Sequence, residues 1–152
     1  MNVQNYIQGK WMNGEGTELE LFNAITGEQL GTTSSLGIDF ESVLNYGRKL
    51  GGTALRSMTF QERGRMLKAL ALHLISIKEK FYTLSAATGA TRIDSWIDIE
   101  GGIGNLFANA SLRKQFPDLP YYVDGTAAQL SKNGTFIGHH IMVPKQGVAI
   151  HI

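Results

Sequence analysis

Leu67, Leu70, Leu74, Ile77, Phe81 and Leu84 recur three or four residues apart, behind a Thr59-Phe60-Gln61-Glu62 segment that has the form of a helix start. In a capping box the threonine oxygen accepts from the Glu62 amide, and the Glu62 carboxylate reaches back to the Thr59 amide. The spacing then gathers all six apolar side chains into one stripe along a helix. Gly89 supplies a C-cap at the far end. Ser76-Ile77-Lys78-Glu79 also has the form of a capping box, so one helix or two fit this stretch equally.

The stripe sits in the middle of three stretches of different character. Residues 1–36 read as short strands and turns. Glu18-Leu19-Glu20-Leu21 alternates with period two, and Gly14-Glu15-Gly16 and Thr26-Gly27 punctuate. Residues 38–114 read as helical. Asp39 caps a first helix expected to run to about Leu50 and stop at Gly51-Gly52. A last helix carries Ile93, Trp96, Ile99, Ile103, Leu106, Phe107 and Ala110. Beyond Pro117 and Pro120 strand character returns. Tyr121-Tyr122-Val123 and Phe136 to Val143 are joined by Lys132-Asn133-Gly134-Thr135, where Asn-Gly would supply the positive φ angles of a tight hairpin. Gly147 to Ile152 is a mostly apolar run of the kind found in buried parallel strands. A buried strand needs covering layers, and chain ends normally lie at the surface, so an ending on Ile152 reads as a truncation. Such a chain is expected to leave the edge of Val148–Ile152 and its apolar helix faces uncovered.

The totals narrow the function classes. At 152 residues the chain can hold one domain, and 43% apolar with 18% charged residues is the balance of a globular protein. A net charge of +1 gives no pull toward nucleic acid or anionic membrane. No apolar run approaches the roughly 20 residues that span a bilayer. Met1-Asn2-Val3-Gln4-Asn5 lacks the basic and apolar regions of a signal peptide, so a cytoplasmic location is expected. On the same ground Asn109-Ala110-Ser111 and Asn133-Gly134-Thr135 read as chance glycosylation triplets. The chain has no cysteine, which removes disulfides, thiolate zinc sites and any cysteine nucleophile from these residues.

Tyr6-Ile7-Gln8-Gly9-Lys10-Trp11 is similar to the opening I-x-G-x-W of the aldehyde dehydrogenases, and three further segments resemble the same family. Asn23-Ala24-Ile25-Thr26-Gly27-Glu28 is similar to N-P-x-T-G-E, with Ala24 and Ile25 in place of the usual proline and alanine. Met58 to Leu74 resembles the helix beginning R-x-x-x-L. Pro144 to Ile150 resembles P-x-G-V-x-x-I, the strand leading into the cofactor site. Thr88 to Ile103 resembles the narrower phenylacetate-degradation type, in which the dehydrogenase is fused to a ring-opening hydratase, and the related benzoyl-CoA-pathway semialdehyde dehydrogenases. The resemblance implies an α/β fold, the N-terminal part of a cofactor-binding domain. Residues 1–120 would be its leading strands and outer helices, 121–142 a bridging hairpin for homo-oligomer contacts, and 143–152 the first strand of the nucleotide-binding sheet. It further implies a parent enzyme that oxidises a CoA-linked semialdehyde to the acid with NADP, or with NAD.

The family chemistry needs a thiolate, an oxyanion-stabilising amide, a general base and an oriented nicotinamide. The family's side chains for these roles follow the strand ending at Ile152, so no catalytic residue is assigned and the chain alone is expected to be inactive, with no cofactor of its own. Ile152 is the one cofactor candidate, at the strand end where α/β sheets bind ligands; a plain core isoleucine fits it equally. Gly101-Gly102-Ile103-Gly104 lacks the full G-x-G-x-x-G pattern, since Phe107 holds the last place, and lacks a preceding strand, so close helix packing is the better reading. His139 and His140 would point to opposite faces of a strand and do not chelate one metal. They, His73 and His151 read as structural or surface histidines, and no metal site is assigned. Asp94, Asp98 and Glu100, with Arg92 near, read as a solvated helix face, and so do Arg63, Arg65 and Lys68, whose weaker reading is contact with a CoA phosphate. A reading from another class remains: a stand-alone assembly module that pairs the Tyr121–Val143 hairpin edge with another chain.

Overall fold

The computed structural model describes residues 2–151. Five short strands come first: β1 (Asn2–Val3), β2 (Asn5–Ile7), β3 (Lys10–Met12), β4 (Leu19–Phe22) and β5 (Gln29–Thr33). β5 lies between β1, which it pairs in parallel, and β4, which it pairs antiparallel. β2 and β3 form a separate hairpin across Gln8-Gly9, both at positive φ, as a two-residue turn between twisted strands requires. The Asn23 side chain accepts from the amides of Ile25 and Thr26, which closes the Asn23–Glu28 turn.

The helices follow as α1 (Phe40–Tyr46), α2 (Gly52–Ser57), α3 (Phe60–Ser76), α4 (Lys78–Ala86) and α5 (Arg92–Ser111). Asp39 caps α1 through the Ser42 amide at 3.0 Å. The expected stop at Gly51-Gly52 does not occur. Both glycines keep right-handed helical angles, a π-helical turn over Gly47–Gly51 carries the chain on, and α2 ends at Ser57, with Met58 extended. Glycine permits a helix end but does not impose one. The Thr59–Glu62 box forms in both directions, at 3.2 Å and 2.8 Å. Loop residues reinforce it: the Thr59 hydroxyl meets Asp118, and the Phe60 amide donates to Leu119 O.

The helical stretch does break at Ile77, but Ser76 does not cap α4. Its hydroxyl turns back to His73 O at 2.7 Å, competing with the capping role as serine does within a helix. α5 begins with a second capping box, Thr91 with Asp94. A 3-10 turn over Leu112–Gln115 and extended Phe116 lead into Pro117, since a residue before proline avoids helical angles.

α3 packs chiefly against α5, whose Ile103 is buried, while the buried positions of α3 itself are small. Gly64 and Ala71 of α3 and Ala110 of α5 are buried. A Cβ at Gly64 would lie 2.8 Å from Arg113 Cβ and 3.0 Å from Ala110 O, so the close approach depends on its absence. The leucine stripe flanks this line: Leu67 and Leu74 are half-buried, Leu70 and Leu84 exposed. The protein presents 11435 Å² of accessible surface. A self-contained monomer of 16.7 kDa presents about 7,600 Å², so the excess is roughly half as much again.

β6 (Tyr122–Gln129) and β7 (Ile137–Met142) form an antiparallel ribbon with a register shift between Asp124 and Ala128. The turn is longer than a two-residue Asn-Gly connection. Only Gly134 has positive φ; Gly134 N–H bonds Ser131 O, and Ser131 Oγ accepts from the Phe136 amide. The expected strand over 143–152 is not formed among the described residues. Val148 and Ile150 are exposed, because no parallel neighbour lies alongside to bond their backbone.

Candidate functional site

Two regions bring polar groups together. In the first, α4 meets α5. Lys78 Nζ lies 2.8 Å from Glu100 Oε1, and the Tyr82 hydroxyl donates to the same oxygen at 2.8 Å. The Arg92 guanidinium stacks 3.7 Å above the Tyr82 ring. The ammonium and the phenol bonded to Glu100 hold its carboxyl below the ordinary 4.5, and the bond to Glu100 raises Lys78 above 10.5. Burial, and then the bond to Glu100, raises the Tyr82 phenol. These groups are spent on one another, which makes the cluster a clasp between helices.

The signs of the shifts set a pH window. A lowered carboxyl stabilises the fold above its unfolded value and ceases to do so as pH falls through the folded one. A raised ammonium does so below its unfolded value and fails as pH rises through the folded one. The thermal midpoint of the natural protein should therefore exceed that of Glu100→Gln by a constant margin from about pH 5 to about pH 10. The margin should close in acid. A margin that persists undiminished at low pH would remove Glu100 from the clasp.

Of the other sequence candidates, Asp94, Asp98, Gly101 and Gly102 line one open surface recess beside Ser85, Thr88 and Asn105, and the rest lie apart. Asp94 is committed to capping α5, and Asp98 stands exposed on its surface. Gly101, Gly102 and Gly104 lie in mid-helix, where the amides bond along the helix and cradle no phosphate. A Cβ on any of the three would meet nothing within 4 Å. Ile93 and Ile97, exposed at 70% and 58%, continue that outward face. His73, His139, His140 and His151 are exposed, and no three potential metal ligands gather among the described residues. Arg63 stacks on Phe60 and donates to Leu55 O and Met58 O, while Arg65 and Lys68 are exposed. Ile152, the cofactor candidate, lies outside the described residues.

The second region was not singled out from sequence. A cavity of about 410 Å³ opens between α2, the start of α3 and the end of β7. Stacked Phe60 and Phe116 rings, 4.5 Å apart, form part of its wall. Its three charged lining residues, Arg56, Arg63 and Lys145, are all cationic. Lys145 lies more than eighty residues after Arg56 and Arg63, so no local motif joins the three.

No family model matches the chain. It is 33% identical over 153 residues to a 3,4-dehydroadipyl-CoA semialdehyde dehydrogenase from Aromatoleum evansii. The likeness covers the whole of this chain and 30% of that protein's length. It relates the chain to an aldehyde dehydrogenase, of which the chain spans under a third.

Proposed function

We propose that these residues form the N-terminal part of an NAD(P)-dependent aldehyde dehydrogenase that oxidises a CoA-linked semialdehyde to the acid in the degradation of aromatic acids, of the phenylacetate type. The observation that carries the reading is the end-to-end likeness to an enzyme named for a CoA semialdehyde. The excess accessible surface supports it, since a part of a larger enzyme has faces meant to be covered. With no cysteine in the chain, the thiolate that attacks the aldehyde lies outside these residues. Their own part is to build the layer on which the cofactor domain rests. The hairpin carries subunit contacts through its free edges.

The test is nicotinamide reduction by the natural gene product with a CoA-linked semialdehyde, NADP and NAD being supplied in turn. A product longer than 152 residues should turn over, faster with NADP, and the 152-residue chain should not. The free edges of β6–β7 favour a second reading, an assembly module without catalysis. A natural product of 16.7 kDa that self-associates and reduces no nicotinamide would establish that reading and end the first.

A further inference from the structure

Arg56 lines the cavity, and just behind the wall one of its donors is unmet. Nη1 of Arg56 is sealed from solvent and has no acceptor among the described residues. Its sister Nη2 makes only a long bond, 3.4 Å, to Thr53 Oγ1. A buried charged donor without an acceptor is costly and rare in finished proteins. Arg63, by contrast, already donates to two carbonyls. No acidic residue lines the cavity, and neither Arg56 nor Lys145 has an ion pair within 4 Å among the described residues. The rest of the wall is apolar, with Leu55, Phe60, Phe116, Met142 and Pro144 prominent.

Positive charge in an apolar recess is complementary to a carboxylate with apolar neighbours. The size of the uncovered surface decides between a small molecule and a polypeptide. Met142 and Val143 at the cavity mouth are 51% and 68% exposed, and they continue into the bare edge of β7. A small carboxylate filling 410 Å³ would leave that edge open; a chain segment would cover both.

We propose that the Arg56 cavity is a socket for a polypeptide segment from outside these 152 residues, one that presents an aspartate or glutamate between apolar side chains. The carboxylate enters the cavity between Arg56 and Lys145, both of which line it. The inference rests on the reading of the chain as part of a longer protein.

Zero-length carbodiimide coupling of the natural gene product tests it, because the reagent joins a lysine only to a carboxylate in contact. Mass spectrometry should find Lys145 joined to an acidic residue outside 1–152 with apolar sequence neighbours. Arg56→Met keeps the apolar stem and should lower that product about tenfold, since a buried partner of the carboxylate is lost. Arg56→Lys keeps the charge and should retain part of it. Links from Lys132, on the distant hairpin turn, should be unchanged in all three proteins, which reports that the variants fold. Lys145 joined only to residues within 1–152, whether in the same copy or a second one, overturns the proposal. So does no link at all, as for a free small anion, or a link indifferent to Arg56→Met. Aldehyde oxidation measured on the same wild-type preparation separates the two claims. Activity without the link sinks the socket alone, and the link without activity sinks the dehydrogenase reading alone.

Discussion

Gly64→Val should cost the protein roughly 3 kcal/mol, at the upper end of what overpacking a filled contact does. The wild-type backbone passes so near α5 that even a methyl at Gly64 would sit 2.8 Å from Arg113 Cβ and 3.0 Å from Ala110 O. One neighbour is the root of a side chain and the other is backbone, so neither can swing aside. The branched valine adds two further carbons to that clash, which outweighs the slight gain from removing a mid-helix glycine. The helices must move apart, exposing Ala71 and Ala110 together. At about 2–4 °C per kcal/mol for a chain of this size, the thermal midpoint should fall by roughly 6–12 °C. A midpoint within a degree of wild type would mean that α3 and α5 do not meet as described.

The opposite sign is expected a few turns away. Replacing Gly101, Gly102 and Gly104 together by alanine should raise the stability of the 152-residue chain by roughly 1.5–3 kcal/mol. Each added methyl enters open space, so only the helix preference of alanine acts. Denaturant unfolding would read this as a higher midpoint at unchanged slope. A loss of stability would show that the outward face of α5 is already in contact within the chain. In a longer protein that covers this face the same methyls would meet the covering layer, and the gain should shrink or reverse. The two experiments share one chemistry, glycine gaining carbon within a helix, and the space around the Cβ decides the outcome.

Local signals carried much of this architecture into the sequence. Asp39 and the Thr59–Glu62 pair act through bonds to residues three positions away, so a reader of the chain has every partner in view. Period-two and helical spacing likewise separated the strands from the helices. Where a local rule misled, a competing local preference or the packing of small residues had the final word. Gly51-Gly52 passes through a π-helical turn because nothing there demands a left-handed angle. Ser76 bonds backward to His73 O, a choice that its four-residue pattern cannot express. The leucine stripe marked the right helices but not the buried line, which belongs to Gly64 and Ala71, residues invisible to a search for large apolar side chains. The Lys78–Glu100 and Tyr82–Glu100 bonds span 22 and 18 residues, and the Arg56 cavity joins α2 to residues beyond β7. Such sites appear only when the chain is folded. The strand foreseen over 143–152 is not formed among the described residues, where no neighbouring strand pairs with it.

The loop that locks the start of α3 gives the chain a timetable. A ribosome releases the polypeptide from its N-terminus, and early segments can fold while later ones are still being made. The partners that brace Thr59 and Phe60 are Asp118 and Leu119, and Gln61 Nε2 bonds Arg113 O and Phe116 O. The helical layer can therefore close as soon as Leu119 has left the exit tunnel, before the second arm of the hairpin has emerged. From then until β6 and β7 find their partners, nascent chains carry a settled helical layer beside two unpaired strand edges. That interval is when neighbouring chains on one messenger are most exposed to pairing with each other, and it is where a chaperone would do most good.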